Sequence, residues 1–532
     1  MLADGKLLPC GARLRSDVVI VGAGPAGLTL ASSLAEAGWH VTLLEAGGRR
    51  HGPGDDGALA GETVGEQFPL VSSRGRGFAG SSNRWAPGTG LRVRPFDACD
   101  FTPSPLRDVS WPFERSTLER YYTRAFELIS VPAEFRPERQ FGARYPTPLT
   151  WPGGPELAVF RFAAHDVFQS RFDAVARARN IQLVLDATVV GIELTQDADS
   201  VQELRVVASN GNSFVVEGRF FVLAGGGIEN PRMLLESRGR YGNGVGNEHD
   251  NVGRYFMDHI AFDCAVLEPV GEELFDARVF EESVDDEAHK RQAMLWLGEE
   301  RIRREGLLNA AFWVCSAERA YLSPGVNAAR GLRKAVRCGA VSQSRRQALA
   351  TLRNARDLAA FRWDGWRGRK GTFLRILAEQ VPQRESRITL SSRTDHLGRR
   401  RVRVDWRVAQ ADLDSLRKHC AILYEQLERS GHVRIARAFD PEEEGAPPLL
   451  TNYHHLSSTR MHVDPRLGVV DPELRVHSTK NLYVVGGSVV PAGSYLNPTL
   501  TILALSLRLA DTLDHALAPS GVRSATGWHA GA

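Results

Sequence analysis

The sequence predicts an α/β fold in which a Rossmann-like domain carries an inserted α+β domain built on an antiparallel sheet. Three observations support this prediction. A short buried strand, a glycine-rich turn and an apolar-faced helix follow one another near the N-terminus. A second buried strand, glycine-rich at its end, precedes an apolar helix near the C-terminus. Between residues 261 and 450 these signals are absent, which is typical of one domain inserted into another.

The first element is a βαβ unit at residues 17–48, with the sequence DVVIVGAGPAGLTLASSLAEAGWHVTLLEAGG. Residues 18–21 form a short run of β-branched side chains, which predicts a buried parallel strand. The apolar spacing of residues 28–37 predicts a helix that follows the turn. A second apolar strand then ends before the glycine pair at residues 47–48.

The glycines of this unit form a GxGxxG pattern, Gly22, Gly24 and Gly27. The first permits a tight turn, the second lets backbone approach a pyrophosphate, and the third lets helix and strand pack closely. The helix N-terminus that follows favours an anion. Glu45 lies about 20 residues further on, where a carboxylate accepts hydrogen bonds from ribose hydroxyls. The pattern predicts a dinucleotide site, and it fits FAD and NAD equally.

Composition excludes several classes of protein. The 532 residues are 43% hydrophobic and 24% charged, which fits a globular chain with two or three cores. The formal net charge of +3 is too small for a dedicated nucleic-acid binder. The six cysteines lack the spacing of a zinc site, redox pair or secreted disulfide framework. No segment resembles a signal peptide or reaches the roughly 20 apolar residues of a membrane span, so we expect a cytoplasmic protein.

Two later segments have the character of cofactor-contacting loops. Gly80, Ser81 and Ser82 form a small, polar stretch before Trp85, suited to close contact between backbone and a flat ring. An ordinary surface turn is the alternative. In the C-terminal block, residues 481–490 predict a buried strand with two glycines at its end, and Pro498 opens an apolar helix.

Four blocks in order resemble the glucose-methanol-choline (GMC) oxidoreductases, flavoenzymes that oxidise alcohols. They are the βαβ unit, GRGFAGSSNRWAPGTGLR, GRFFVLAGGGIENPRMLLES with NVGRYFMDH, and YHHLSSTRM with the C-terminal strand and helix. Several blocks in family order are much harder to obtain by chance than any one of them. The resemblance implies FAD rather than NAD. It also implies a discontinuous FAD-binding domain at 1–100, 155–260 and 451–520, a substrate-binding domain with connecting segments at 101–154 and 261–450, and a flexible tail at 521–532.

The resemblance assigns cofactor contacts residue by residue. The candidates are Gly22, Gly24, Gly27, Glu45, Gly80, Ser81, Ser82, Asn83, Trp85, Val189, Ala224, Gly225, Gly487, Ser488, Asn497, Pro498 and Thr499. Within the inserted domain, AEQVPQRESRITLSS and RRRVRVDWRV predict two strands joined by the turn TDHLG. We expect both strands in the sheet that roofs the flavin pocket.

The resemblance also implies a catalytic pair. The family motif His-Pro-x-Gly-Thr-x-x-Met aligns with HHLSSTRM and places His454 at the catalytic histidine. Histidine suits a proton acceptor, because its ordinary pKa is about 6.5. Asn497 matches the second member of the pair, which hydrogen-bonds the developing alkoxide. His455 is the second candidate for the base. Without the resemblance, a His-His pair in a loop is more often structural.

Two departures from the family pattern matter. The Gly-Thr of the motif is Ser457-Ser458 here, which removes some backbone freedom from the loop. Some sugar oxidases of the family carry a histidine bonded covalently to FAD, just before a tryptophan. Here Arg84 stands at that position. We therefore expect FAD to be bound non-covalently.

Two charged segments have open interpretations. Acidic residues cluster between 268 and 287, where they either attract a cationic substrate such as an amino sugar or form a solvated loop, which is more common. Basic residues punctuate an apolar stretch at 333–356. This stretch either contacts a membrane or partner or, more commonly, forms a solvated helical face.

The sequence thus predicts oxidation of a CH–OH group on a sugar-like or amino-sugar substrate to an aldehyde or ketone, by hydride transfer to flavin N5. The His-His motif followed by Asn-Pro-Thr resembles bacterial pyranose- and aminoglycoside-type dehydrogenases. The alternatives are a non-sugar alcohol, a lyase that uses FAD structurally, and a flavin-bearing electron-transfer subunit. Oxygen, a quinone and a protein are all open as the electron acceptor.

Overall fold

A computed structural model gives the fold of the chain. It describes residues 1–52, 55–66, 68–84, 90–133, 153–237, 239, 242–270, 280, 283–284, 290–318, 348, 370–444 and 446–518. Its strands in chain order are β1 Leu2–Asp4, β2 Arg13–Val21, β3 Val41–Leu44, β4 Glu62–Gly65, β5 Leu91–Val93, β6 Glu156–Ala163, β7 Ile181–Leu185, β8 Thr188–Leu194, β9 Val201–Val207, β10 Ser213–Leu223, β11 Ile260–Pro269, β12 Ser283–Val284, β13 Lys290–Trp296, β14 Ala310–Glu318, β15 Lys370–Ala378, β16 Arg387–Thr394, β17 Arg400–Trp406, β18 Val433–Ala438, β19 Leu450–Thr451 and β20 Leu482–Val484. Its helices are α1 Pro25–Glu36, α2 Asp55–Leu59, α3 Ala98–Phe101, α4 Glu119–Leu128, α5 Phe172–Arg177, α6 Gly226–Glu236, α7 Glu299–Glu305, α8 Gln410–Arg429 and α9 Thr499–Leu517.

The predicted βαβ unit forms the centre of the first sheet. Its strand order is β1-β7-β3-β2-β10-β9-β8, and β20 pairs with the end of β10. Strands β1, β7, β3, β2, β10 and β20 run parallel to one another. Strand β9 pairs antiparallel with β10 on one side and with β8 on the other. Val18, Val19 and Ile20 are fully buried, as expected of a strand covered on both faces. Helix α1 packs against α9, so the N-terminal and C-terminal blocks share one core.

The second sheet is antiparallel, as the sequence predicts for the inserted domain. Among the described residues its order is β18-β11-β15-β14-β13-β6-β5, with β12 and β19 pairing at the side. Helix α8 packs on β18 and β15 and buries one face. The buried side chains of that face include Leu416, His419, Cys420, Leu423 and Leu427.

The hairpin predicted at residues 378–408 forms, but in another sheet. β16 pairs antiparallel with β17, which then pairs in parallel with β4. In the described structure these three strands form a separate sheet. Both strands thus lie outside the larger antiparallel sheet, and their expected place over the flavin pocket stays a prediction. The third strand comes from a distant part of the chain, and no local pattern marks that pairing.

Two strands, β5 and β6, cross the predicted division into domains, since they lie within 1–100 and 155–260. Residues 155–260 were assigned to the FAD-binding domain by resemblance, yet β6 pairs with β5 and β13 in the antiparallel sheet. The boundary at residue 260 coincides with the start of β11. We propose that β5 and β6 belong to the substrate-binding domain.

Several predicted features lie outside the described residues. They are Trp85, the acidic residues of 272–286, the basic residues of 333–356 and the tail at 521–532. Of the helices that are described, none combines the length and the apolar character that crossing a membrane requires.

Candidate active site

A cavity opens at the carboxyl ends of the parallel strands. Its wall includes Val21 at the end of β2, Leu44 at the end of β3, Ala224 after β10 and Gly486 after β20. Open α/β sheets bind ligands at this edge. The cavity therefore lies where a sheet of this kind binds a dinucleotide.

The glycine-rich turn has the backbone geometry that the sequence predicts. Gly22 has φ of +107° and, like Gly24, lines the cavity. Gly27 lies behind the wall, where an added Cβ would come within 2.0 Å of the Gly22 carbonyl oxygen. Pro25, the first residue of α1, and Ala26 line the cavity, so the N-terminus of this helix borders it.

Glu45 lines the cavity and also holds the surrounding loops together. Its carboxylate accepts hydrogen bonds from the backbone N–H groups of Ala23 at 3.0 Å, and of Gly47 and Gly77 at 2.9 Å. Burial raises the pKa of Glu45. A carboxylate has about four lone-pair sites, so acceptor capacity is left for a ribose hydroxyl.

The predicted small polar stretch is a 3-10 helix, Gly80–Arg84. Gly80, Ser81 and Ser82 line the cavity. Asn83 lies outside the wall, because its Nδ2 donates to the Phe78 carbonyl at 2.7 Å. Arg84 turns away from the cavity, and its guanidinium contacts the Arg74 carbonyl, His51 and Asp56.

The C-terminal block forms the opposite wall of the cavity. Gly487 lines it, as do Pro498, the N-cap of α9, and Thr499 at the start of that helix. Ser488 is fully buried outside the wall, where its Oγ accepts from Asn230 Nδ2 at 3.0 Å. The other predicted cofactor contacts found in the wall are Val189, Ala224 and Gly225.

His454 and Asn497 lie together although 43 positions separate them. Asn497 Nδ2 is 3.1 Å from His454 Nε2. His454 lines the cavity, and Asn497 reaches it through this hydrogen bond. Burial, with a further contribution from the Arg92 cation, lowers the pKa of His454 to about 3. The imidazole is therefore uncharged at neutral pH.

Arg92, on β5, connects Asn497 to the antiparallel sheet. Its Nε donates to Asn497 Oδ1 at 3.0 Å, and its Nη1 donates to Gln292 Oε1 at 3.2 Å. The guanidinium lies 4.9 Å from the ring centroid of Phe160 and 5.1 Å from that of Trp313. Cation–π contacts of this kind hold an arginine side chain in one orientation.

Asp258 and His259, just before β11, contact the loop that carries His454. His259 Nδ1 is 3.1 Å from His454 Nδ1. Burial, then the neighbouring His454, lowers the pKa of His259. Burial raises the pKa of Asp258 to about 7. The Asp258 carboxylate accepts four backbone hydrogen bonds, from His259, Asn452, Tyr453 and His454.

His455 also borders the cavity but is enclosed by aromatic rings. Its ring centroid is 5.3 Å from that of Phe68 and 6.1 Å from that of Phe256. Its Nε2 is buried and has no hydrogen-bond partner among the described residues. Burial lowers the pKa of His455 to about 3. Its backbone oxygen lies 2.3 Å from where a Cβ of Gly227 would be, which fixes the path of the loop.

Two sets of residues at this site were not predicted from the sequence. Asp258 and His259 lie in the NVGRYFMDH block, where two ionisable residues directly before an apolar strand are a signal of buried polar contacts. Arg92 carries no comparable signal. The second set forms a charged part of the cavity wall, comprising Glu229, Arg232, Asp395 and Arg399.

Two family models match the chain. The FAD binding domain model matches residues 15–53, and the GMC oxidoreductase model matches residues 382–506. The chain carries a GMC oxidoreductase domain. The first match covers the glycine-rich turn, and the second covers His454 and Asn497. This GMC oxidoreductase is an FAD-dependent alcohol oxidoreductase.

Curated relatives of the GMC oxidoreductase extend over most of its length. Paromamine 6'-oxidase of Streptomyces fradiae is 27% identical over 93% of this chain and 90% of its own. The 6'''-hydroxyparomomycin C oxidase of Streptomyces lividus is 25% identical over 94% of this chain and 92% of its own. The fructose dehydrogenase large subunit of Gluconobacter japonicus is 26% identical over 62% of this chain and 54% of its own.

Solved structures share the fold. Pyridoxine 4-oxidase from Mesorbium loti has a TM-score of 0.56 and 18% identity, and covers 94% of this chain and 99% of its own. A fungal aryl-alcohol oxidase has a TM-score of 0.55 and 16% identity, with the same coverage of both chains. At this level of identity the likeness supports the architecture of the GMC oxidoreductase alone.

The cavity residues fit FAD. A Cβ added to Gly24 would have no protein atom within 4 Å, so the turn leaves its backbone open to the cavity. Glu45 and the N-terminus of α1 border the same space, which suits a ribose and a diphosphate. Gly487 brings backbone to the wall beside His455, and Gly80 does so beside Gly24, so a flat ring can lie close to the wall.

Proposed function

We propose that this GMC oxidoreductase oxidises a hydroxyl group of a sugar-like or amino-sugar substrate to an aldehyde or ketone. The names of the aminoglycoside oxidases support this substrate class, because their similarity covers at least nine-tenths of each chain. The fructose dehydrogenase large subunit supports a sugar hydroxyl more generally. The amino-sugar class rests on these relatives, whereas the chemistry rests on the site.

The proposed chemistry requires a proton acceptor and a hydrogen-bond donor beside the reacting carbon. We assign the first role to His454 and the second to Asn497. The observation that carries the assignment is the 3.1 Å contact between His454 Nε2 and Asn497 Nδ2 at the cavity wall. FAD, when bound, supplies the hydride acceptor. His454 takes the hydroxyl proton at Nε2, and the Asn497 amide stabilises the developing alkoxide.

His455 is the weaker candidate for the base. Its ring packs against Phe68 and Phe256, and its backbone is held against Gly227. These contacts support a structural role, in which the ring shapes the cavity and excludes water. His454 has the hydrogen-bonded partners that a positioned base requires.

The substrate class is tested by anaerobic titration of the purified holoenzyme with paromamine, neamine, fructose and simple alcohols. We expect paromamine, whose amino sugar carries a primary hydroxyl group, to bleach the visible absorption of the flavin. Neamine has an amino group in place of that hydroxyl and is the matched control. Bleaching by simple alcohols alone would contradict the proposed class. Unchanged flavin with every alcohol would contradict alcohol oxidation by His454 and Asn497.

We further propose that FAD is bound non-covalently. Arg84 stands where covalent members carry a histidine, and its guanidinium is engaged by Arg74, His51 and Asp56. Acid precipitation of the holoenzyme is expected to release all of its flavin into the supernatant. Mass spectrometry of the denatured chain should then give the mass of the polypeptide alone. A chain heavier by the mass of FAD would exclude this mode of binding.

A further inference from the structure

Four side chains form a continuous row from the antiparallel sheet to the loop before β11. Arg92 donates to Asn497 Oδ1, Asn497 Nδ2 contacts His454 Nε2, and His454 Nδ1 contacts His259 Nδ1. The three separations are 3.0, 3.1 and 3.1 Å. All are normal hydrogen-bond distances, so the position of each proton in the row depends on its neighbours.

Arg92 determines which group donates and which group accepts each hydrogen bond along this row. A guanidinium has five N–H donors and no acceptor, and it stays protonated in proteins. Arg92 therefore contacts the carbonyl oxygen of the Asn497 amide and leaves the NH₂ group toward His454. An NH₂ group only donates, so His454 Nε2 must accept and carry a lone pair.

The same reasoning places the remaining protons. A neutral imidazole has one N–H, and with Nε2 as acceptor the proton of His454 lies on Nδ1. His454 Nδ1 then donates to His259 Nδ1, which must accept. The proton of His259 is on Nε2, which is buried and has no hydrogen-bond partner among the described residues. The backbone N–H of His259 donates to the Asp258 carboxylate at 2.7 Å, which holds the chain beside this ring in place.

We propose that Arg92 and His259 are positioning residues that keep the proton of His454 on Nδ1 and leave its Nε2 unprotonated as the base. This inference rests on the proposed role of His454. In the opposite tautomer, His454 Nε2 would carry a hydrogen and lack the lone pair that accepts a hydroxyl proton. Neither Arg92 nor His259 needs to touch the substrate for this role.

The charges around His454 give the inference a second observable. The Arg92 cation faces it across Asn497, His259 and Asp258 face it from the loop before β11, and His455 adjoins it. Burial first, and Arg92 second, lower the pKa of His454. Removing the cation raises that pKa, so the base becomes protonated at a higher pH. Because activity requires the unprotonated base, a variant without the cation should lose activity at a higher pH than the wild type as the solution is acidified.

The direct test is ¹⁵N NMR of the holoenzyme labelled at histidine, with His454→Ala identifying the His454 signals. We expect wild-type His454 to show a protonated Nδ1 and an unprotonated Nε2. Arg92→Met and His259→Leu should give mixed tautomers. Arg92→Lys keeps the cation and a donor, and His259→Asn keeps an acceptor near Nδ1, so both should retain the wild-type tautomer. A protonated Nε2 in the wild type would overturn the inference, whatever the substrate.

Flavin reduction by paromamine gives the second readout. We expect the rate constant to fall about tenfold in Arg92→Met and His259→Leu, the effect of losing one hydrogen bond to the base. The acid limb of the pH profile, which we expect below pH 5 in the wild type, should move to higher pH in Arg92→Met and stay in place in Arg92→Lys. A slower enzyme with an unmoved profile in Arg92→Met would show a merely structural role.

The controls separate this inference from the proposed function. His419→Leu removes another fully buried histidine, on α8, whose Nε2 also lacks a partner among the described residues. It should change neither the His454 signals nor the reduction rate. If His454→Ala leaves reduction unchanged, the proposed function fails. If His454→Ala alone is inactive, and Arg92→Met and His259→Leu keep the wild-type tautomer of His454, the positioning role is wrong while the proposed function stands.

Discussion

Replacing His454 by alanine is expected to lower the rate constant of flavin reduction by about 10³-fold, within the range of general-base catalysis. The variant should retain FAD, because the glycine-rich turn and Glu45, to which we assign the diphosphate and ribose, are unchanged. Anaerobic stopped-flow reduction by paromamine measures the rate constant, and the flavin-to-protein ratio measures retention. A reduction rate within threefold of wild type would exclude His454 as the base.

The neighbouring histidine provides the matched control. His455→Ala removes an imidazole of the same burial from the adjacent position, but one packed between Phe68 and Phe256. Its expected effect is on thermal stability rather than on flavin reduction. The reverse result, in which His455→Ala is inactive and His454→Ala is active, would move the base to His455.

The pH profile of the wild type gives an independent expectation. The pKa of His454 is lowered to about 3, chiefly by burial. A base with a lowered pKa is unprotonated at every pH above that value, and it is lost only when the pH falls through it. The rate constant of flavin reduction should therefore be flat from about pH 5 to pH 8. An acid limb near pH 6.5 would show that His454 has its ordinary pKa in the holoenzyme.

The geometry of the glycine-rich turn could be predicted from sequence because its signals are local. Gly22, Gly24, Gly27 and Glu45 lie within one βαβ unit, and each glycine has a backbone reason that does not depend on the rest of the chain. The C-terminal strand was less predictable. Only Leu482–Val484 forms a strand, because the chain turns sharply at Gly486, with φ of +124°, to border the cavity.

The surroundings of the proposed base could not be predicted, since they depend on tertiary contacts. His259 is 195 positions from His454, and Arg92 is 405 positions from Asn497. No spacing rule connects residues so far apart. The β16–β17 hairpin shows the same limit, because the pairing of the two strands is local whereas the pairing of β17 with β4 is not. Family resemblance brought His454 and Asn497 together, but it assigned no role to Arg92 or His259.

Replacing Gly27 by alanine is expected to give a protein that is less stable by about 3 kcal/mol and that retains little FAD. The added Cβ would lie 2.0 Å from the Gly22 carbonyl oxygen and 3.4 Å from Ala224 Cβ. Because the obstacle at Gly22 is backbone, α1 must move away from β2. Such a movement also displaces the N-terminus of α1 from the cavity. Thermal unfolding of the apoprotein and the flavin-to-protein ratio after gel filtration measure the two effects.

Two other glycines distinguish packing from cofactor contact. A Cβ on Gly24 or on Gly57 would meet no protein atom within 4 Å, but Gly24 lines the cavity whereas Gly57 lies within α2. Gly57→Ala should keep FAD and gain about 0.5–1 kcal/mol of stability, as expected of alanine within a helix. Gly24→Ala should keep the stability of the apoprotein and lose FAD affinity, because its methyl group enters the space assigned to the diphosphate. A stable Gly27→Ala that keeps FAD would show that close packing of α1 on β2 is not what the third glycine provides.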